Sequence, residues 1–113
     1  MKISQVQSLL NAHVLCGEEH LETEVHSACG SDMMSDVLAY VKNQAVLLTG
    51  LVNPQVIKTA EMMDMRCIVF VRNKKPSPQM LEMADDVGIT LLATAETLFT
   101  ACGVLYDNGL RGS

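Results

Sequence analysis

The amino-acid sequence predicts one α/β domain with a mixed, mostly parallel sheet and flanking helices. Three features of the chain carry that prediction. First, the apolar runs Ala45–Thr49, Cys67–Val71 and Thr90–Leu92 are each followed by a turn and an amphipathic stretch, beginning near Asn53, Pro78 and Thr94. Such alternation is the pattern of parallel strands joined by crossover helices. Second, 113 residues support one compact domain, not two. Third, 49% of the residues are hydrophobic, enough for a core. With 4% aromatics and no Trp, that core must be aliphatic and sulfur-rich, and the 8 Met residues suit irregular gaps.

The elements follow in chain order. Residues 3–11 read as a short helix with Val6, Leu9 and Leu10 on one face and a capping box from Ser4 and Gln7. His13–Cys16 reads as a short strand stopped by Gly17, and Glu18–Glu22 as a solvent loop. Val25–Gly30 reads as a second strand of small residues. Asp32 is placed to cap the next helix, which buries Val37, Leu38 and Val41. After the Ala45–Thr49 strand, Gly50 breaks the chain, Asn53 caps, and Pro54 takes the first helical position, where its missing N–H costs nothing. Val56, Ile57, Ala60 and Met63 form the apolar stripe. Cys67–Val71 is a continuous β-rich run, expected of a strand covered on both faces. Ser77-Pro78 opens a helix packing Leu81 and Ala84, and Gly88 ends it. Ile89–Leu92 is the last strand. Thr94 then caps a helix with the stripe Leu98, Phe99, Cys102 and Leu105. The domain is expected to span 1–106, with a polar, frayed tail over 107–113.

Charge narrows the function classes. The net charge is −5, and residues 1–36 carry Glu18, Glu19, Glu22, Glu24, Asp32 and Asp36 against Lys2 alone. An acidic chain without a basic stripe argues against nucleic acid, and the cluster Arg72-Asn73-Lys74-Lys75 reads as a solvated turn. No apolar run approaches the ~18 residues of a membrane span, and there is no signal-peptide pattern, so a cytoplasmic protein is expected. Cys16, Cys29, Cys67 and Cys102 lie apart in apolar contexts, as buried free thiols of a reducing compartment would.

Reactive machinery is sparse. His13-x-x-Cys16 and His26-x-x-Cys29 have residue types that suit zinc, but residues three apart on a strand point to opposite faces, so no metal is assigned. Cys29, before Gly30 and a helix start, lacks an evident base and orienting group. No glycine-rich phosphate loop is present, and no cofactor is assigned. Helix N-termini beyond strand ends nevertheless hold anions without a motif. Thr49, Gly50, Asn53 and Arg72 are therefore candidate residues for a small anionic ligand, with Asp32 at the neighbouring junction.

Ser31-Asp32-Met33-Met34-Ser35-Asp36 is the most distinctive stretch. Leu21-x-x-Glu24-Val25 followed by Gly30-Ser31-Asp32-Met33-Met34-Ser35-Asp36-Val37-Leu38-Ala39 resembles the signature region of the DRTGG domain family. Met1-Lys2-Ile3-Ser4, Asn53-Pro54 and Gly88-Ile89-x-Leu91-Leu92 with Thr94 resemble it too, so the likeness covers about residues 1–106. The name-giving Asp-Arg…Thr-Gly-Gly pattern falls here on Glu22-Thr23…His26-Ser27-Ala28. The Gly-Gly common after the central strand falls near Arg72-Asn73. The resemblance implies a fold similar to the N-terminal domains of HPr kinase and some Mur ligases. It also implies a non-catalytic role in regulation or dimer contacts, as when such domains accompany CBS domains, phosphotransacetylase-like domains and pyrophosphatases.

The resulting expectation is a non-enzymatic regulatory or interaction module. It would be a homodimer, accessory to a metabolic or redox enzyme, with Cys29, Met33 and Met34 as interface candidates. The alternative is a sensor of a small anion such as an adenine nucleotide.

Overall fold

A computed structural model describes residues 1–41 and 44–112. In chain order the elements are α1 (Ile3–Leu10), β1 (His13–Cys16), a 3₁₀ turn (Glu18–His20), β2 (Ser27–Gly30), α2 (Met34–Tyr40), β3 (Ala45–Thr49), α3 (Pro54–Met62), β4 (Cys67–Phe70), α4 (Pro78–Val87), β5 (Thr90–Ala93) and α5 (Leu98–Asp107). The sheet has five strands in the order β1-β5-β4-β3-β2. β2 through β5 run parallel and β1 closes the far edge antiparallel to β5. The mixed, mostly parallel sheet is thus the one expected from sequence, with β1 its antiparallel strand.

Strand parity sorts the core onto two sides. Leu47, Ile68, Phe70 and Leu91 meet Val37 of α2, Val56, Ile57 and Ala60 of α3, and Met80 and Ala84 of α4. Val46, Leu48, Val69 and Leu92 meet Ile3, Val6 and Leu10 of α1 and Ala101 and Leu105 of α5. Successive parallel strands joined by crossovers of one hand must put their helices on one face. β2–α2–β3–α3–β4–α4–β5 obeys this, and α1 and α5 cover the other face. β3, β4 and β5 are buried along their whole length, so they read as unbroken apolar runs.

Local chemistry explains most boundaries. The Asn53 side chain accepts from Gln55 N at 2.9 Å, with Pro54 at the first helical position. Ser77 Oγ accepts from Met80 N at 3.2 Å, and Gly88 ends α4 with φ 75°.

Several expectations are corrected. The cap of α1 is Lys2, whose N–H donates to Gln5 Oε1, and not Ser4. α2 starts one residue beyond Met33, so Asp32 does not cap it. Leu38 is exposed, because Val37 and Val41, with Met34 beside them, supply the side that faces the core. Thr97, not Thr94, caps α5: its hydroxyl accepts from Thr100 N, while the Thr94 hydroxyl donates to Leu10 O at 2.7 Å. Phe99 points outward, because Ala101 and Leu105 already fill the inward face of α5. Residues 108–112 pack against the domain instead of fraying, and Ser113, the end of the expected tail, lies outside the described residues. Leu110 is buried, Ala28 N donates to Arg111 O, and Gly112 bridges Ala28 at the sheet edge.

Candidate functional site

Of the residues singled out near the strand tips, Asp32, Thr49, Gly50 and Arg72 come together. β2 ends at Gly30, and Ser31 N donates to Leu48 O at 3.0 Å, which holds the following loop against β3. Met33 N donates to Ser31 Oγ, a tight side-chain turn that carries Asp32 over the end of β3. There Asp32 Oδ1 accepts from the buried Thr49 hydroxyl at 3.0 Å and from Gly50 N at 2.7 Å. Thr49 Oγ1 in turn accepts from Leu51 N. The carboxylate therefore takes the strand-end N–H that a bound anion would need.

Arg72 approaches from the other side. A Cβ placed on Gly50 would lie 2.8 Å from Arg72 Nη2 and 3.6 Å from Asp32 Oδ1, so the missing side chain makes room for the guanidinium. Arg72 and Asn73 both have φ 55°, and Lys74 N donates to Val71 O across them. Two consecutive left-handed residues explain why glycine suits this turn. Arg72 sits there at a steric cost, and its guanidinium forms no ion pair within 4.0 Å among the described residues.

Ligand crevices in open α/β sheets lie where the connections of adjacent strands leave for opposite faces. β4 leads to α4 on one face and β5 to α5 on the other. That gap is sealed, because Arg72 N donates to Glu96 O and Asn73 N to Thr94 O, both at 2.8 Å. Asn53 is occupied by its own helix cap. Asp32, Thr49, Gly50 and Arg72 thus meet in one corner, where a carboxylate tied to a hydroxyl and a backbone N–H lies close to a guanidinium.

Burial pushes Cys67 strongly up, and desolvation also raises Cys16, Cys29 and Cys102, the opposite of nucleophile activation. Only Cys67 is fully buried, whereas the other three are partly exposed. β1 and β2 occupy opposite edges of the sheet, so His13 and Cys16 cannot converge with His26 and Cys29. Of the interface candidates, Cys29 and Met34 pack against the core and Met33 is exposed.

Sequence reasoning missed the most conspicuous surface. α5 presents Phe99 and Tyr106 to solvent, beside Leu98, Cys102 and Gly103. The available signal was the absence of any charge from Leu98 to Tyr106. A helix apolar all round has more than one covered side.

The fold is that of a small α/β domain with a five-stranded mixed sheet. The chain belongs to the DRTGG domain family, whose profile matches residues 5–106. It is similar to the solved CBS and DRTGG domains of the regulatory region of Clostridium perfringens pyrophosphatase, determined with the activator diadenosine tetraphosphate. The TM-score is 0.75 at 15% identity, over 92% of this chain and 45% of that one, a likeness of fold. This chain therefore spans about half the length of that relative. No match was found among curated proteins. No helix among the described residues is long and apolar enough to cross a membrane.

Proposed function

We propose that this chain is a non-catalytic regulatory and interaction module of the cytoplasm, acting through self-association and contact with a metabolic or redox enzyme. The observation that carries this reading is a contrast within the surface. Large apolar side chains stand exposed at Met33 and Tyr40 at the two ends of α2 and at Phe99 and Tyr106 on α5, while the Asp32 carboxylate of the strand-tip corner is engaged by Thr49 and Gly50. Exposed apolar patches on a small domain mark contact surfaces. The regulatory region that shares the fold supports the same role. Sedimentation velocity tests it: a dimer is expected at tens of micromolar, and a monomer at every accessible concentration overturns self-association.

A second reading is favoured by one feature, the Arg72 guanidinium held over Gly50 beside Asp32 without an ion pair among the described residues. That corner would accept a small anionic ligand such as an adenine nucleotide, with phosphate on Arg72 and a hydroxyl on the free Asp32 oxygen. A thermal-shift screen of adenine nucleotides and inorganic phosphate tests it. A ligand at 100 times its dissociation constant adds about 2.7 kcal/mol, and a flat screen removes the reading.

A further inference from the structure

Gly103 lies in the middle of α5, with ordinary helical backbone, and a Cβ placed on it would meet nothing within 4 Å. Glycine is a poor helix residue, and nothing in the monomer requires it there. Its neighbours on the outward side are large. Phe99, one turn before, is 89% exposed, and Tyr106, one turn after, is 58% exposed. Cys102 lies between them beside Gly30 of the edge strand β2. The face is thus two aromatic projections flanking a small-residue saddle, close to symmetric about the point between Cys102 and Gly103.

We propose that this face of α5 is the self-association surface, and that a second copy of the chain packs its own α5 across it antiparallel. The crossing falls at Cys102 and Gly103, where small residues let two helix backbones approach closely. Each copy's Phe99 then meets the other copy's Tyr106. A two-fold axis requires just such a self-complementary patch, in which residue i contacts j and j contacts i.

Charge favours a second copy over an unrelated occupant. Nothing between Leu98 and Tyr106 is charged, so the saddle can be desolvated, although the chain as a whole carries −5. The Arg111 guanidinium stacks 3.9 Å over the Tyr106 ring, and its Nη1 donates to Tyr106 O at 2.6 Å, which fixes a cation at the C-terminal end of the face. Glu96, exposed, lies just before the N-terminal end. Antiparallel apposition brings each Arg111 toward the other copy's Glu96, two opposite-charge pairings at the rim, while Asp107, which also lines the face, adds an acid at the Arg111 end.

The inference rests on the self-association reading above, and the test separates the two. Dimer dissociation constants are measured by sedimentation for the wild type, Phe99→Glu, Gly103→Leu and Met33→Asp, with urea unfolding of each at dilution. Gly103→Leu is the decisive variant, since the monomer has space for the side chain and helix propensity favours it. It is expected to unfold at no less urea than the wild type, yet to dissociate. Phe99→Glu and Gly103→Leu are each expected to raise the dissociation constant by about 30-fold or more, the scale of an interface hot spot, and Met33→Asp to leave it unchanged. A dimer weakened by Met33→Asp and indifferent to both α5 variants overturns the α5 assignment while self-association stands. A wild type that is monomeric throughout overturns both.

Discussion

The chain has two phenylalanines, and they occupy opposite environments. Phe70, on β4, is 0% exposed among α2, α3 and α4 residues, whereas Phe99, on α5, is 89% exposed. Phe70 sits where four parallel strands and three crossover helices leave no open side. Phe99 sits on a helix that covers the opposite face with α1 alone for company. The three-helix face is complete in one chain, and the two-helix face leaves its outermost helix apolar on the outside. In the strand-tip corner Asp32 is tied to Thr49 and Gly50, while the Arg72 guanidinium forms no ion pair within 4.0 Å among the described residues. Together these regions separate what holds the fold from what remains available to a partner.

Substitution of the two residues is the sharpest way to break the comparison. Phe70→Ala is expected to cost about 3–5 kcal/mol in urea unfolding, and Phe99→Ala less than about 0.5 kcal/mol at concentrations where the chain is monomeric. Comparable losses would mean that α5 packs inside the monomer after all.

The corner comes next. Asp32→Ala removes a charged acceptor from the buried Thr49 hydroxyl and from Gly50 N, and a loss of about 2 kcal/mol is expected by chemical denaturation. Asp32→Asn, which keeps an oxygen acceptor, should recover much of it. An unchanged midpoint in the alanine variant would show that the corner is not a structural tie.

Alkaline pH probes the interior in the same way. Burial raises Cys67 above its ordinary value of 9.0, so the folded chain keeps a proton that the unfolded chain releases. Stability owed to that proton is full below pH 9.0 and falls as the pH rises beyond it, by up to about 1.4 kcal/mol per pH unit. Cys67→Ala should flatten that slope, read from unfolding midpoints at pH 8 to 10 on the scale of the reference value. A slope unchanged by the substitution would place its origin in other groups.

Arg72→Gly is the smallest effect and carries the opposite sign. Relief of the left-handed backbone should stabilise the chain by about 0.5–1 kcal/mol, while any shift on nucleotide addition disappears. A destabilised variant would show that the guanidinium contributes to the fold beyond the corner.

How far the sequence could be read depends on which forces are local. The β3, β4 and β5 strands, the Asn53-Pro54 and Ser77-Pro78 helix starts and the Gly88 stop were legible because each rests on periodicity or on a cap within a few residues. Asp32 was read as a cap for the same reason, since carboxylates near helix starts usually cap. Its actual partners, Thr49 and Gly50, are 17 and 18 residues away, and only the pairing of β2 with β3 brings them within reach. Thr94 failed in the same manner, because its acceptor, Leu10 O, lies 84 residues earlier in the chain.

By itself the sequence determined the alternation of elements, the two-sided burial of the central strands and the family, because hydrophobic spacing and turn chemistry act over a few residues. Tertiary structure alone decided the order β1-β5-β4-β3-β2, the Asp32 bridge and the bare side of α5. In a helix with no charge from Leu98 to Tyr106, periodicity cannot choose the inward side. That choice fell to the sheet, which had room for Ala101 and Leu105 and none for Phe99.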